Sequence, residues 1–531
     1  MTAFRIHLAG HPLLLTIALA ATLGLVRLAA RRFLKREFSW TRAGTGLVVI
    51  SVVSLITYVG VVVYYATDPH YFDAAEPTMT AVGWLFHIGQ PIYHALDSAE
   101  RYSHIYGPMA FIAHGLALGV FGPSIEASKW VGGGLALGSV GLIFTATRAQ
   151  TSFWRAVAIT GVCMLLMLGF RNYSFWTRAE PLLIFCVSAG LVAAIRGRGQ
   201  AAALVLGVFA GLLWNLKATG PVYSLPLFVM LLRRLGWRPT FLSVLTAVVV
   251  AVLPFLAWSN VSFPNYVAWF RLSAANGLLW ALFTRNIEWA AYFLLPLVLV
   301  AYADRGIRAP ATKDWLLYTL TSVAATGVVV VAGAKPGAGP YHLLPLLPVM
   351  GFLIAQRLRR QAPAATMPTI VPITLVSFIT VAAAIAFVQQ MQFVTTMQGR
   401  RTLNEIADIE AFADSHPGIV EMGYGADDPM TFERPVLVFR NNAYLLDAPA
   451  VGEHQLAGLT IPPATLDALR QCRVSYWLIP RGEQPFTAVN MYPAVFPQPV
   501  FPDDFRRVFL EMHTRIATTQ YFDAWQCRAP A

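Results

Sequence analysis

The sequence predicts an all-α polytopic membrane domain of about twelve spans followed by a small α/β soluble domain. Three observations carry that prediction. Of the 531 residues, 56% are apolar and only 12% are charged, where an ordinary soluble chain carries roughly 25% charged residues. The apolar residues fall in long unbroken runs rather than alternating, which argues against a β-barrel. The acids are unevenly placed: of 27 Asp and Glu, 11 precede residue 391 and 16 lie in the last 141 residues, so the tail faces water. These features exclude a soluble enzyme, and the 12% aromatic content excludes a disordered chain.

A span needs about 20 apolar residues, and fewer where protein rather than lipid surrounds it. Candidate segments are 11–30, 44–66, 106–122, 126–147, 154–170, 179–195, 200–216, 219–232, 239–259, 286–303, 314–333, 340–356 and 366–389. The first lacks a small-residue cleavage pattern and reads as a retained helix, not a signal peptide. Basic loops orient the bundle. Arg31, Arg32, Lys35, Arg36 and Arg42 place the first loop in the cytoplasm, and Arg357, Arg359 and Arg360 do the same for the loop before the last span. The loops with Arg148 and Arg155, Arg196 and Arg198, Arg233, Arg234 and Arg238, and Arg305, Arg308 and Lys313 follow suit.

Parity then requires one of the thirteen segments not to cross. The segment 106–122, opened by Tyr106, Gly107 and Pro108 and interrupted by His114, is the one, read as an interfacial or re-entrant helix on the outer face. Twelve spans remain, with both termini outside. The domains are therefore 1–390, including a first outer loop 67–125 with interfacial helices, and a periplasmic domain 391–531. The stretches 67–105, 171–178, 260–285 and 334–340 all lie on the outer side.

The formal charge of +12 sits in short loops as a topology signal, with no Lys/Arg patch carrying interleaved aromatics, so no nucleic-acid partner is expected. Cys163 and Cys186 lie within apolar runs. Cys472 and Cys527 lie in the tail, where an oxidising periplasm permits a pair, and the sequence leaves that pairing open. The tail opens with a helix at 403–413, then places β-rich runs PVLVF and VSYWLIP between Pro-rich turns. It reads as an acceptor-binding or lid domain, or as a purely structural one.

The chemistry-bearing residues gather in the outer stretches. Asp73 and Glu76 share a face on a helical turn, and five of the early acids (Asp68, Asp73, Glu76, Asp97, Glu100) fall within one such stretch. A carboxylate held beside apolar residues at a membrane surface has a raised pKa and serves as a general base; a hydrated or helix-capping carboxylate is the plainer alternative. Arg171, Arg178 and Glu180 border the next outer loop, with Glu180–Pro181 also suited to a helix N-terminus. Lys217 precedes a Thr219–Gly220–Pro221 break, and Lys335 with a Gly-rich turn precedes Tyr341 and His342. A lysine beside a broken helix can hold a phosphate; alone, each is more plainly read as a snorkelling lysine, and it is their shared side with the carboxylates that favours the phosphate. His70, His87, His94, His104 and His114 have irregular spacing and form no ligand pair, so no cofactor is firmly predicted and a divalent metal is the less favoured reading. No P-loop, dinucleotide fingerprint or serine elbow is present.

The order of these features resembles the GT-C superfamily of integral membrane glycosyltransferases, which includes protein O-mannosyltransferases, the lipid A aminoarabinose transferase and the oligosaccharyltransferase catalytic subunit. Those proteins have an acidic motif in the first outer loop, matched here by Asp73 and Glu76. A Tyr-Pro-Pro or Tyr-Gly-Pro turn opening an outer helix is matched by Tyr106–Gly107–Pro108. A second acidic motif is matched by Arg178–Ala179–Glu180. Lys217 with Thr219, and Lys335 with Gly337, Tyr341 and His342, resemble the later pieces. The likeness runs over about residues 44–356, and departs where the acidic pair is spread to Asp73 and Glu76 and where Glu180 stands in place of Asp.

The resemblance implies transfer of a sugar, with inversion, from a polyprenyl-phosphate donor to a glycan, lipid or protein acceptor on the periplasmic face of a bacterial inner membrane. Glu76 is then the expected base, with Asp73 orienting or replacing it. Arg178, Lys217, Lys335, Tyr341 and His342 face the donor phosphate, and Glu180 and Tyr106 position the acceptor. The competing readings are a transporter, a lipid-linked glycan flippase or ligase, and an inactive scaffold; the near absence of acids in the middle of the spans disfavours an ion-coupled carrier.

Overall fold

In the computed structural model the described residues are 11–33, 40–170, 172–303, 312–358, 370–426, 428–490 and 498–528. Arg171, Lys35, Arg36, Arg305, Arg308, Arg359 and Arg360 lie outside them. The first part of the chain forms α1 (Pro12–Phe33), α2 (Trp40–Ala66), α3 (Ala75–His87), α4 (Pro108–Phe121), α5 (Ile125–Arg148), α6 (Phe153–Leu168), α7 (Ala179–Arg196) and α8 (Gly199–Leu216). It continues with α9 (Gly220–Leu235), α10 (Trp237–Ala257), α11 (Phe263–Ala274), α12 (Trp280–Ala303), α13 (Lys313–Ala332), a 3-10 turn (Pro340–Leu346), α14 (Leu347–Leu358) and α15 (Ile370–Arg400). Each of the thirteen apolar segments corresponds to one of these helices.

Among the described residues, nine helices are long and apolar enough to cross a membrane. Three of the expected spans are shorter. α6 and α9 have 16 residues each, and the apolar part of α1 is Pro12–Leu28. α6 is enclosed by α2, α5, α14 and α15, so protein rather than lipid satisfies its flanks and its length need not match the bilayer. α10 sits at the rim and exposes Phe241, Leu245, Val249, Leu253 and Leu256, a continuous apolar face that suits lipid and not water.

The expected non-crossing helix α4 pairs with α3 from the same loop. Gly83 and Gly115 meet at their contact, where a Cβ on Gly115 would stand 2.4 Å from the Gly83 carbonyl oxygen. The stretches assigned to the outer side converge at one end of the bundle. Asn260 Nδ2 donates to Gln90 O at 3.0 Å, Trp269 Nε1 to His94 O at 2.8 Å, and Leu279 N to Ala334 O at 2.8 Å. Loops assigned to the inner side meet at the other: Arg233 Nε lies 2.8 Å from Asp314 Oδ1, and Arg155 Nη1 3.1 Å from Leu358 O.

The C-terminal unit holds α16 (Glu405–Ser415), β1 (Val420–Met422), α17 (Pro435–Asn441), α18 (Ala448–Leu456), α19 (Pro463–Arg470), β2 (Tyr476–Pro480), α20 (Asp503–Met512), β3 (His513–Thr518) and β4 (Phe522–Cys527). Its sheet runs β1-β2-β4-β3, with β1 parallel to β2 and the remaining pairs antiparallel. Cys472 and Cys527 form a disulfide that ties the entrance of β2 to the end of β4. The expected helix and the strand in VSYWLIP are present, but PVLVF is not a strand. It forms α17, because Pro435 at its first turn presets helical backbone and Val436, Leu437 and Val438 are all buried, between α3 and β1. A short run buried on every side carries no period that separates strand from helix.

The unit is docked on the site end of the bundle. Arg101 N donates to Leu445 O at 2.7 Å and Asp447 N to Arg101 O at 3.1 Å, which adds a strand-like bridge between the first outer loop and the C-terminal domain.

Candidate active site

The segment after α2 is fixed by a buried lysine. Lys129 on α5 donates its Nζ to the carbonyls of Asp68 at 2.7 Å, Tyr65 at 3.3 Å, and His70, so the chain turns back at the end of the helix with its backbone acceptors satisfied. Asp73 follows. Its Oδ1 accepts from Ala75 N at 3.1 Å, which starts α3, and lies 2.6 Å from Arg178 Nη1.

Glu76, three residues on, is fully buried. Its Oε2 accepts from the N–H groups of Phe72 at 2.8 Å and Asp73 at 3.0 Å, and its Oε1 from Thr177 N at 3.3 Å and the Tyr65 hydroxyl. Burial pushes its carboxyl up to about 6, against the pull of Lys129. The carboxylate thus joins the two backbone segments that carry Asp73 and Arg178, and it does not reach the cavity described below.

Arg178 is the centre of the cluster. Its Nη1 meets Asp73, its Nε lies 3.4 Å from Glu180 Oε2, and its Nη2 donates to the Tyr106 hydroxyl at 3.2 Å. The guanidinium also lies over the rings of Tyr173 at 4.8 Å and Tyr341 at 5.5 Å. Burial opposes its charge, and the carboxylates of Asp73 and Glu180 more than offset that, raising it above the ordinary arginine value.

Glu180 connects Arg178 to Lys217, whose Nζ lies 2.7 Å from Glu180 Oε1 and 3.0 Å from His342 Nε2. Burial lowers Lys217 from its ordinary value, with Glu180 opposing. The lysine occurs where α8 ends in extended backbone. Two glycines make this junction possible. A Cβ on Gly107 would stand 1.8 Å from Asn215 O, and one on Gly220 would stand 1.8 Å from Leu213 O. The Tyr106–Gly107–Pro108 turn therefore lies directly on the end of α8, placing the Tyr106 ring centroid 5.3 Å from Lys217 Nζ.

Tyr341 stacks on Tyr173 with centroids 4.3 Å apart and donates its hydroxyl to Gly337 O at 2.7 Å. Lys335 precedes this turn; burial lowers it, and Glu453 opposes that shift. Asp73, Tyr106, Arg178, Glu180, Lys217, Tyr341 and His342 thus form one connected cluster, with Lys335 at its margin and Glu76 directly behind it.

A cavity of about 220 Å³ opens on this cluster where the two domains meet. Asp73, Tyr106, Tyr173, Arg178 and Tyr341 line it from the membrane domain, and Glu453 and Asn490 from the C-terminal domain. Glu180, Lys217 and His342 stand behind that wall. Both lining carboxylates, Asp73 and Glu453, lie beside basic side chains, Arg178 and His104. Among the described residues, no group of three His, Cys, Asp or Glu is arranged to hold a metal ion.

No family model and no curated protein matches the sequence. The structure is similar to that of ArnT from Cupriavidus metallidurans in the apo state, with TM-score 0.54 at 14% identity, covering 91% of this chain and 98% of that one. The same protein bound to undecaprenyl phosphate gives TM-score 0.51 at 16% identity over the same shares. The chain has the ArnT fold. An Archaeoglobus fulgidus oligosaccharyltransferase is a more distant match, with TM-score 0.41 at 13% identity, covering 90% of this chain and 72% of that one.

The sequence reads the C-terminal domain as acceptor-binding, lid or structural, but it singles out none of that domain's residues for the cavity. Glu453 and Asn490 reach the cavity from far along the chain, with no local signal. The sequence offers His104 only as a metal ligand, although its position two residues before Tyr106–Gly107–Pro108 marks it as near the site. Tyr173, in the 171–178 loop, also lines the cavity, and no motif in the sequence marks it. His94 and His114 serve structure: His94 Nε2 accepts from Ser103 N at 3.1 Å, and His114 Nδ1 bonds Ser128 Oγ at 2.9 Å.

Proposed function

We propose that the protein is a glycosyltransferase that moves a sugar from a polyprenyl-phosphate donor to an acceptor hydroxyl at the periplasmic face of a bacterial inner membrane. The observation that carries this reading is the ion pair of Asp73 with Arg178 on the wall of a cavity between the two domains. The shared fold with ArnT, one of whose structures holds undecaprenyl phosphate, supports a lipid-phosphate donor.

Asp73 acts as the general base in place of Glu76, because Asp73 lines the cavity whereas Glu76 is enclosed with both oxygens already accepting hydrogen bonds. In the reaction Asp73 takes the acceptor proton, the acceptor oxygen bonds the anomeric carbon, and the bond from that carbon to the phosphate oxygen breaks with its electron pair leaving on the phosphate. A single displacement of this kind inverts the anomeric centre. Arg178, with Lys217 and Lys335 close by, neutralises the phosphate. Donor phosphate also competes with Asp73 for Arg178, so donor arrival releases the base. Glu180 holds Arg178 and Lys217 in register, and Tyr106 positions the guanidinium. The fixed geometry supplies most of the acceleration, since phosphate is a good leaving group.

The deciding experiment is transfer in proteoliposomes from undecaprenyl-phosphate sugars of several kinds, wild type against Asp73→Asn. Activity in the first and loss in the second support the reading; equal activity in both removes it.

A further inference from the structure

We propose that Glu453 and His104 form a sugar-recognition subsite, supplied jointly by the two domains, that receives the hydroxyl or amino groups of the donor's sugar ring. This rests on the glycosyltransferase reading and extends it to the C-terminal domain.

His104 is 5% exposed, and neither of its ring nitrogens has a hydrogen-bond partner among the described residues. Nδ1 stands 3.4 Å from Glu453 Oε2 and Nε2 stands 3.8 Å from Asp447 Oδ2. A buried polar group left in this state carries a desolvation cost that a ligand with its own hydrogen-bonding groups removes. The ring lies face to face with Tyr106 at 5.9 Å, whose hydroxyl accepts from Arg178, and both His104 and Glu453 line the cavity.

The chemistry selects the ligand. An ionised carboxylate only accepts hydrogen bonds, so Glu453 repels the donor phosphate and receives groups that donate. The walls between Glu453 and Arg178 are tyrosine rings, Tyr106, Tyr173 and Tyr341, which offer flat apolar faces. The volume of about 220 Å³ is below the roughly 300–1,000 Å³ of sites for drug-sized ligands, which suits a single ring. A polar ring with apolar faces, tethered to a phosphate, is a lipid-phosphate-linked monosaccharide.

Glu453 is rigidly placed. Asp447 caps its helix through Ala450 N at 3.2 Å and accepts from Arg434 at 2.7 Å, the Tyr444 hydroxyl at 2.6 Å and the Thr78 hydroxyl at 2.9 Å. The adjoining His454 lies on the Trp269 ring at 4.1 Å. The helix is thereby held to both α3 and the 260–285 stretch.

The test is binding by the full-length protein in nanodiscs, titrated with bare undecaprenyl phosphate and with undecaprenyl phosphate carrying mannose, glucose or an aminopentose. Wild type is expected to bind at least one sugar-bearing lipid about tenfold more tightly than the bare lipid, the scale of a hydrogen bond to a charged group. Glu453→Gln and His104→Gln are each expected to abolish that preference, leaving bare-lipid affinity within twofold and the unfolding temperature unchanged. Asp73→Asn should keep the preference. A wild type that binds bare and sugar-bearing lipids alike, or variants that weaken both equally or neither, overturns the subsite. A wild type that binds none of the lipids overturns the glycosyltransferase reading along with it.

Discussion

Arg178 Nη1 stands 2.6 Å from Asp73 Oδ1, a contact between residues 105 positions apart in the chain. It joins the loop before α3 to the start of α7, and on its other side the same guanidinium leads through Glu180 to Lys217. Base and phosphate-binding groups are therefore one electrostatic unit, and substitutions within it have separable consequences.

Replacing the base should remove chemistry without unfolding the protein. Asp73→Asn keeps the shape and the Ala75 hydrogen bond, and the side chain is partly exposed. Transfer should fall at least about 10²–10⁴-fold, the usual contribution of a general base. Rate per folded enzyme, with the unfolding temperature as control, checks this.

Glu76 should behave as a positioning and stability residue. Its folded value of about 6 lies above the ordinary 4.5, so the unfolded chain ionises first as pH rises. The fold is favoured below the lower value and loses about 2 kcal/mol between the two. Glu76→Gln should flatten this part of the unfolding profile between pH 4.5 and 6, while Glu76→Ala should destabilise at every pH by orphaning the Phe72, Asp73 and Thr177 N–H groups. An unaltered profile in Glu76→Gln would refute the burial argument.

Breaking the buried pair of Lys217 and Glu180 one side at a time should be costly. Lys217→Met leaves Glu180 with only the more distant Arg178 contact, and a penalty of about 3–5 kcal/mol is expected. The double variant Lys217→Met with Glu180→Gln should regain most of the stability but no transfer activity. Denaturation curves and sugar transfer on Lys217→Met and on the double variant separate the two effects.

Gly107→Ala should disrupt the junction between the two motifs. Its Cβ would collide with the Asn215 carbonyl at 1.8 Å, so either α4 or the end of α8 must move, carrying Tyr106 from Arg178. Reduced folded yield and a loss of transfer larger than that of Tyr106→Phe are expected.

The disulfide provides a test of sidedness. Cys472 and Cys527 are paired and Cys163 and Cys186 are buried thiols. In intact cells a membrane-impermeant thiol reagent should label the tail only after mild reduction, and the reduced protein should unfold at a lower temperature. Labelling without reduction would contradict the Cys472–Cys527 pair, and no labelling after reduction would contradict a periplasmic tail.

The helical membrane domain was legible in the sequence because burial in lipid demands long apolar runs with every backbone group bonded internally, and charge placement in loops then orders them. Parity required one segment not to cross, and the Tyr106–Gly107–Pro108 opening with His114 pointed to 106–122, which forms the short helix Pro108–Phe121; the order of Asp73, Tyr106, Arg178, Glu180, Lys217 and Tyr341 suggested a shared site. PVLVF was misread because α17 is buried against neighbours from both domains, which removes any period.

Which carboxylate faces the cavity was decided only by tertiary structure. Asp73 and Glu76 are equivalent by composition and share a turn, but the Glu76 side chain finds four donors on its side of the chain, whereas Asp73 finds Arg178 and open space. Likewise, nothing near residue 453 in the sequence foretells a partner near residue 104. Sequence periodicity records how each segment meets its solvent, lipid or water; the pairing of distant charges depends on where the docking of whole domains excludes both.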